Sequence, residues 1–220
     1  MSSSEHKPNE KQAFSIACNA LKDRYGDAQL IPEQKDKPDF GFIWKNKRIG
    51  VEVVALDDSE LLRAISSHEA QKLTKARKKE LHAIKNLQPY TRYNQTIKPD
   101  TSFVKPALDS KLKLYETYKS NFDEVFLLLH CESFENIKFL NLLKVIANNY
   151  LLDNDCLFSK VYLVDLKNNR FIGKVFDFKN KKRLKIPKKL LSYESETRVS
   201  HFFPVAKEFN IYETYESEVK

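Results

Sequence analysis

Glycine is scarce in this sequence, 4 of 220 residues, and neither G-x-x-x-x-G-K-[ST] nor G-x-G-x-x-G occurs. Loops that wrap a phosphate in backbone N–H groups need glycine where the chain approaches closely, so nucleotide binding of that kind is unsupported. The three cysteines, Cys18, Cys131 and Cys156, are widely spaced and odd in number. They form neither a CxxC pair nor a disulfide framework, which is the usage of a reducing, cytoplasmic compartment. The five histidines (His6, His68, His82, His130 and His201) show no zinc-ligand spacing. No nucleophile elbow presents a catalytic serine. No apolar run nears the roughly 18 residues that a membrane span requires. The N-terminal Met-Ser-Ser-Ser-Glu-His-Lys lacks the apolar core of a signal peptide, so no membrane association is expected.

What is present points elsewhere. Apolar residues make up 41% of the chain and aromatics 12%, enough to bury a core. The length suits one α/β domain with an insertion. The formal charge of +8, from 38 Lys and Arg against 30 Asp and Glu, suits a polyanionic partner. A lysine-rich proteome accounts for the charge equally well.

Hydrophobic periodicity orders the elements. Phe14, Ala17, Leu21 and Tyr25 recur at helical spacing from about Glu10, with Gly26 where a C-cap would stand. Gln29-Leu30-Ile31 reads as a first strand. Asp39–Trp44 and Arg48–Leu56 read as the arms of a hairpin turning at Lys45-Asn46-Lys47. Residues 59–87 read as a long helix with a basic middle, and residues 88–105 as a loop. A helix follows Pro106 through Leu108, Leu112, Tyr115 and Tyr118. Val125–Leu129 reads as a strand covered on both faces, Phe139–Leu151 as a helix and Lys160–Leu166 as a strand. Phe171–Phe176 reads as an edge strand before a Lys-rich loop. The expected fold class is therefore α/β, a mixed central sheet flanked by helices.

The hairpin holds the unusual chemistry. Asp39 opens its first strand, and Glu52 stands between Val51 and Val53 in its second. A carboxylate in so apolar a run is costly to bury without charge compensation. A divalent cation shared with Asp39 would supply it, since Mg²⁺ takes one or two carboxylates plus water and phosphate oxygens. The bland reading places Glu52 on the solvent face of a one-sided sheet.

Pro38-Asp39, a hairpin, then Gly50-Val51-Glu52-Val53-Val54 resembles the PD-(D/E)xK, restriction-endonuclease-like nuclease superfamily. That resemblance implies an αβββαβ core over roughly residues 10–166 within a single domain of residues 1–220. Residues 59–105 become a helical insertion bearing the long basic helix, and residues 167–220 a C-terminal extension. It implies Asp39 and Glu52 as ligands of Mg²⁺ or Mn²⁺, with Glu10 of helix one as a further ligand. Glu10 is equally explained by the helix dipole. The family's lysine normally stands two residues after the second acid, where this chain has Val54. Similar proteins move that lysine to a helix. Lys111, four residues before Tyr115 in a spacing similar to the family's Gln-x-x-x-Tyr, is the first choice, and Lys72 the second. Lys72, Lys75, Arg77, Lys78, Lys79 and Arg92 would contact the nucleic-acid backbone, with Tyr90 and Tyr93 stacking on bases.

The implied activity is metal-dependent phosphodiester hydrolysis, on DNA rather than RNA, by a chain compatible with a homodimer. The rivals are a nucleic-acid-binding protein of the same fold without turnover, which Val54 favours, and an adaptor whose basic helix meets an acidic partner.

Overall fold

The computed structural model describes residues 7–32, 37–57, 101–134 and 136–186 in full, and residues 90–97 and 197–204 as backbone. The chain divides into two compact units. Residues 1–62 and 99–195 form the first, and residues 63–98 and 196–220 the second. Both the 59–105 insertion and the 167–220 extension are therefore shared between units.

The first unit opens with α1 (Pro8–Ala20). Proline at N1 has no N–H to leave unsatisfied, and its fixed φ suits a helix start. Lys7 N donates to Glu10 Oε2 at 3.0 Å, closing the first turn. Ala13 and Ala17, four apart and buried, let the helix lie close on the sheet. The helix expected to run on to Tyr25 breaks at Leu21, and Lys22–Tyr25 forms a separate turn, α2. Gly26 is a C-cap as its position suggested, but of α2, and in a right-handed conformation (φ −60°).

Strands β1 (Gln29–Leu30), β2 (Phe40–Trp44) and β3 (Lys47–Ala55) form an antiparallel meander. The β2–β3 turn has two residues rather than the expected three. Lys45 (φ 49°) and Asn46 (φ 61°) both adopt positive φ, as a type I′ turn demands, and Trp44 pairs with Lys47.

Helices α3 (Val104–Leu112) and α4 (Tyr115–Lys119) carry the chain from this meander to β5 (Glu124–Cys131). The long α5 (Ile137–Asp153) then leads to β6 (Lys160–Asp165), and β7 (Arg170–Asp177) closes the sheet. The order is β1-β2-β3-β5-β6-β7. β3, β5 and β6 are parallel, and the remaining pairs antiparallel. The structure is thus a six-stranded mixed sheet flanked by helices.

Alternation along the central strands separates two cores. Ile49, Val51, Val53, Phe126, Leu128, Tyr162 and Val164 pack with Ala13 and Ala17 of α1. Gly50, Glu52 and Val54 belong to the opposite face, where α4 packs on β3 and β5, and α3, packed beside α5, reaches Glu52 through Lys111. A strand buried on both sides carries no solvent face, and Glu52 is only 4% exposed. The reading of Glu52 as a surface residue of a one-sided sheet is therefore overturned.

In the second unit, β4 (Tyr90–Ile97) pairs antiparallel with β8 (Thr197–Pro204) in a two-stranded ribbon. The loop expected over residues 88–105 is corrected here, and Arg92, Tyr90 and Tyr93 lie on a strand. The basic helix expected over residues 59–87, with Lys72, Lys75, Arg77, Lys78 and Lys79, lies outside the described residues. Among the described residues, no helix is long and apolar enough to cross a membrane.

A candidate metal centre on the β2–β3 hairpin

The pairing of β2 with β3 sets Phe40 against Val51, and one further step along that register brings Asp39 opposite Glu52. Close approach of the two carboxylates depends on glycine. A Cβ on Gly50 would stand 2.5 Å from Pro38 Cγ and 3.1 Å from the Phe122 ring. The bare backbone leaves room for Pro38 to settle against the strand, and Asp39 follows it. Gly50→Ala is therefore expected to cost about 1–3 kcal/mol by overpacking. It should also impair every property that needs Asp39 and Glu52 together, measured by urea unfolding alongside Mg²⁺ titration. Gly50 and Phe122 were missed as site-forming residues, although a glycine inside a valine-rich strand is itself a sign of close approach.

Lys111 reaches the same place from α3. Its Nζ donates to Glu52 Oε1 at 2.5 Å, forming an ion pair whose carboxylate side chain is 5% exposed and whose lysine side chain is 25% exposed. Glu52 Oε2 is buried and has no hydrogen-bond partner among the described residues. Asp39 Oδ2 accepts from Val53 N at 2.7 Å. Helix α3 is itself tied to α5 through the Tyr150 hydroxyl, which donates to Asp109 Oδ1. The Asp109 hydrogen bond pushes the Tyr150 hydroxyl up to about 12. Nothing in the sequence marked that tie.

Burial and the neighbouring Glu52 charge raise the Asp39 carboxyl to about 6, against the opposing Val53 N–H and Lys111, with Glu10 adding to the rise. The consequence for stability has a definite sign. An aspartate ionises near 3.9 in the unfolded chain, so between that value and about 6 the folded state holds the extra proton. This contribution is fully present below about pH 4 and is lost as pH rises through 6. Allowing for partial solvent screening, wild type should lose on the order of 2 kcal/mol relative to Asp39→Asn between pH 4 and 7. Chemical denaturation across that range measures it. Mg²⁺ favours the ionised carboxylate and should move the transition to lower pH.

Other expected site residues fall elsewhere. Tyr115 does not share a helical face with Lys111, because α3 ends at Leu112 and α4 begins at Tyr115. It stands edge-on to Phe158 with ring centroids 5.2 Å apart. Burial raises its hydroxyl, with Glu116, Cys156 and Glu124 as the charges that act on it. Glu10 spends its carboxylate on Lys7, accepting from the backbone N and lying 3.4 Å from Nζ. It does not complete a three-ligand cluster with Asp39 and Glu52, and no such cluster of His, Cys, Asp or Glu occurs among the described residues.

His130 belongs to the α1 face of β5. It is buried, with its Nδ1 unpartnered among the described residues. Burial lowers its pKa.

The donor set fits a hard divalent ion. Structural zinc asks for four protein ligands and catalytic zinc for three, whereas Mg²⁺ and Mn²⁺ accept two carboxylates and complete their shells with water and substrate oxygens. An orphaned buried carboxylate oxygen beside a second carboxylate offers that arrangement. No protein-family model matches the chain, and comparison with curated proteins and with solved structures found no similar protein.

Proposed function

We propose that this protein is a Mg²⁺- or Mn²⁺-dependent nuclease of the PD-(D/E)xK type that hydrolyses phosphodiester bonds in DNA. In this reading α1, the β1–β2–β3 meander, the α3–α4 crossover and β5, followed by α5 and β6, constitute a restriction-endonuclease-like αβββαβ core. The observation that carries it is Glu52, buried in a valine-rich strand with one oxygen held by Lys111 and the other unpartnered, beside Asp39.

Asp39 and Glu52 would hold the ion, which when bound supplies a Lewis acid and a water of lowered pKa. Lys111 fixes the Glu52 carboxylate and places a cation beside the reacting phosphate, where negative charge grows. Val53 N fixes one oxygen of Asp39 and leaves the other available. Burial of Glu52 strengthens these electrostatic effects, while half-buried Asp39 leaves the ion open to water and substrate. Val54 occupies the family's usual lysine position as a buried apolar residue, and Lys111 stands in for it from α3.

The buried Val54 also favours the rival, a nucleic-acid-binding protein without turnover. Incubation of linear and circular DNA with Mg²⁺ or Mn²⁺ separates the two. Cleavage that Asp39→Ala and Glu52→Ala abolish supports the nuclease. Intact DNA under both metals, together with a gel shift, leaves the binding protein.

A further inference from the structure

The β4–β8 ribbon has two unlike faces. Its register pairs Tyr90 with Pro204, Arg92 with Phe202, Asn94 with Ser200 and Thr96 with Arg198 on one face. The other face pairs Thr91 with Phe203, Tyr93 with His201, Gln95 with Val199 and Ile97 with Thr197. Strand alternation therefore places both arginines of the ribbon on one side with an asparagine, a threonine and a serine, beside Tyr90, Phe202 and Pro204, and leaves the other side without Lys or Arg. These are the residue types whose donors and acceptors match base edges: arginine with guanine, asparagine with adenine, and serine or threonine with either.

The ribbon's own unit is also where the chain concentrates positive charge. Residues 63–98 contain nine Lys or Arg and two acidic residues, and residues 196–220 three and five, so the unit carries +5 of the chain's +8. All six residues read from the sequence as nucleic-acid contacts, Lys72, Lys75, Arg77, Lys78, Lys79 and Arg92, lie in that segment, whereas Asp39, Glu52 and Lys111 lie in the first unit.

We propose that the second unit is a duplex-DNA-reading module, in which the ribbon face defined by Arg92, Asn94, Thr96, Arg198 and Ser200 enters the major groove. The major groove of B-form DNA is wide enough for a two-stranded β-ribbon, while the A-form major groove of RNA is too deep and narrow. The basic segment supplies the sequence-independent phosphate attraction, and the ribbon supplies base discrimination. This deepens the nuclease reading, on which it rests for the chemistry that follows binding. Binding itself requires no metal.

The test is a gel shift in EDTA with a pool of 30-base-pair random duplexes, followed by dimethyl sulfate footprinting of the selected sequences. Dimethyl sulfate methylates guanine N7 in the major groove and adenine N3 in the minor groove. Wild type should bind duplex DNA and protect guanine N7. Arg92→Ala with Arg198→Ala should weaken binding to selected duplexes roughly 100-fold, from two lost base contacts. Arg92→Lys with Arg198→Lys retains the charge, so it should keep the salt dependence while guanine protection weakens, because lysine lacks arginine's rigid fork.

Unchanged affinity in the alanine variant, protection confined to adenine N3, or preference for single strands or RNA duplex would overturn the module. Ribbon-dependent duplex binding without cleavage under Mg²⁺ would instead retain the module and remove the nuclease reading.

Discussion

Replacing Lys111 by methionine is expected to destabilise the first unit by about 3 kcal/mol, because it strands the Glu52 carboxylate in a buried setting. The pair is asymmetric. The Glu52 side chain is 5% exposed and Lys111 25%, so a quarter of the lysine side chain reaches solvent while the acid does not. Removing the exposed partner is thus the damaging direction. Adding Glu52→Gln to Lys111→Met should return most of the loss, since an amide at that position carries no charge to compensate.

Mg²⁺ gives an independent check. A cation held by Asp39 and Glu52, as proposed, would substitute for the missing ammonium, so the Lys111→Met variant should gain more stability from Mg²⁺ than wild type does. Urea denaturation of the single and double variants, with and without Mg²⁺, reads all three quantities. A Lys111→Met protein as stable as wild type would mean that Glu52 finds other compensation.

The β2–β3 hairpin was legible because two signals coincided: β-rich alternation interrupted by a short polar turn, and a carboxylate where alternation called for an apolar residue. The parallel strands β5 and β6 were legible as runs apolar on both faces. Lys111 was reached through family resemblance, since nothing in its local sequence separates it from other helical lysines. Tyr115 failed for a local reason. The chain breaks between α3 and α4 at Lys113-Leu114, which contain neither glycine nor proline. Strand β4 failed for a global one. Its partner β8 lies a hundred or more residues later, and each strand taken alone is too polar to announce a sheet. Burial of Glu52 likewise required knowing that α4 packs on its face and that Lys111 reaches it from α3, which no pattern along β3 reveals.

Glu52→Gln is expected to have the largest effect on activity and little effect on folding, and the contrast is informative. Under the proposed nuclease reading, loss of metal-dependent transition-state stabilisation should reduce DNA cleavage by about 1,000-fold or more, roughly 4 kcal/mol of activation free energy. The glutamine keeps the side chain's shape and a carbonyl that still accepts from Lys111, so the ion pair is reduced to a hydrogen bond without a cavity. Glu52 is also the charge that adds to burial in raising Asp39, and its neutralisation should lower the pH at which Asp39 ionises.

In metal-free buffer the variant should therefore remain folded near neutral pH, with its Asp39-linked loss of stability moved toward lower pH. Added Mg²⁺ should distinguish it from wild type. At a concentration a hundred times the dissociation constant, a ligand specific to the folded state stabilises it by about 2.7 kcal/mol. Wild type should show that gain and Glu52→Gln should not. A folded variant that loses both cleavage and Mg²⁺ stabilisation identifies Glu52 as a metal ligand. If Glu52 were only the inner half of a structural ion pair, the substitution would leave the response to Mg²⁺ unchanged.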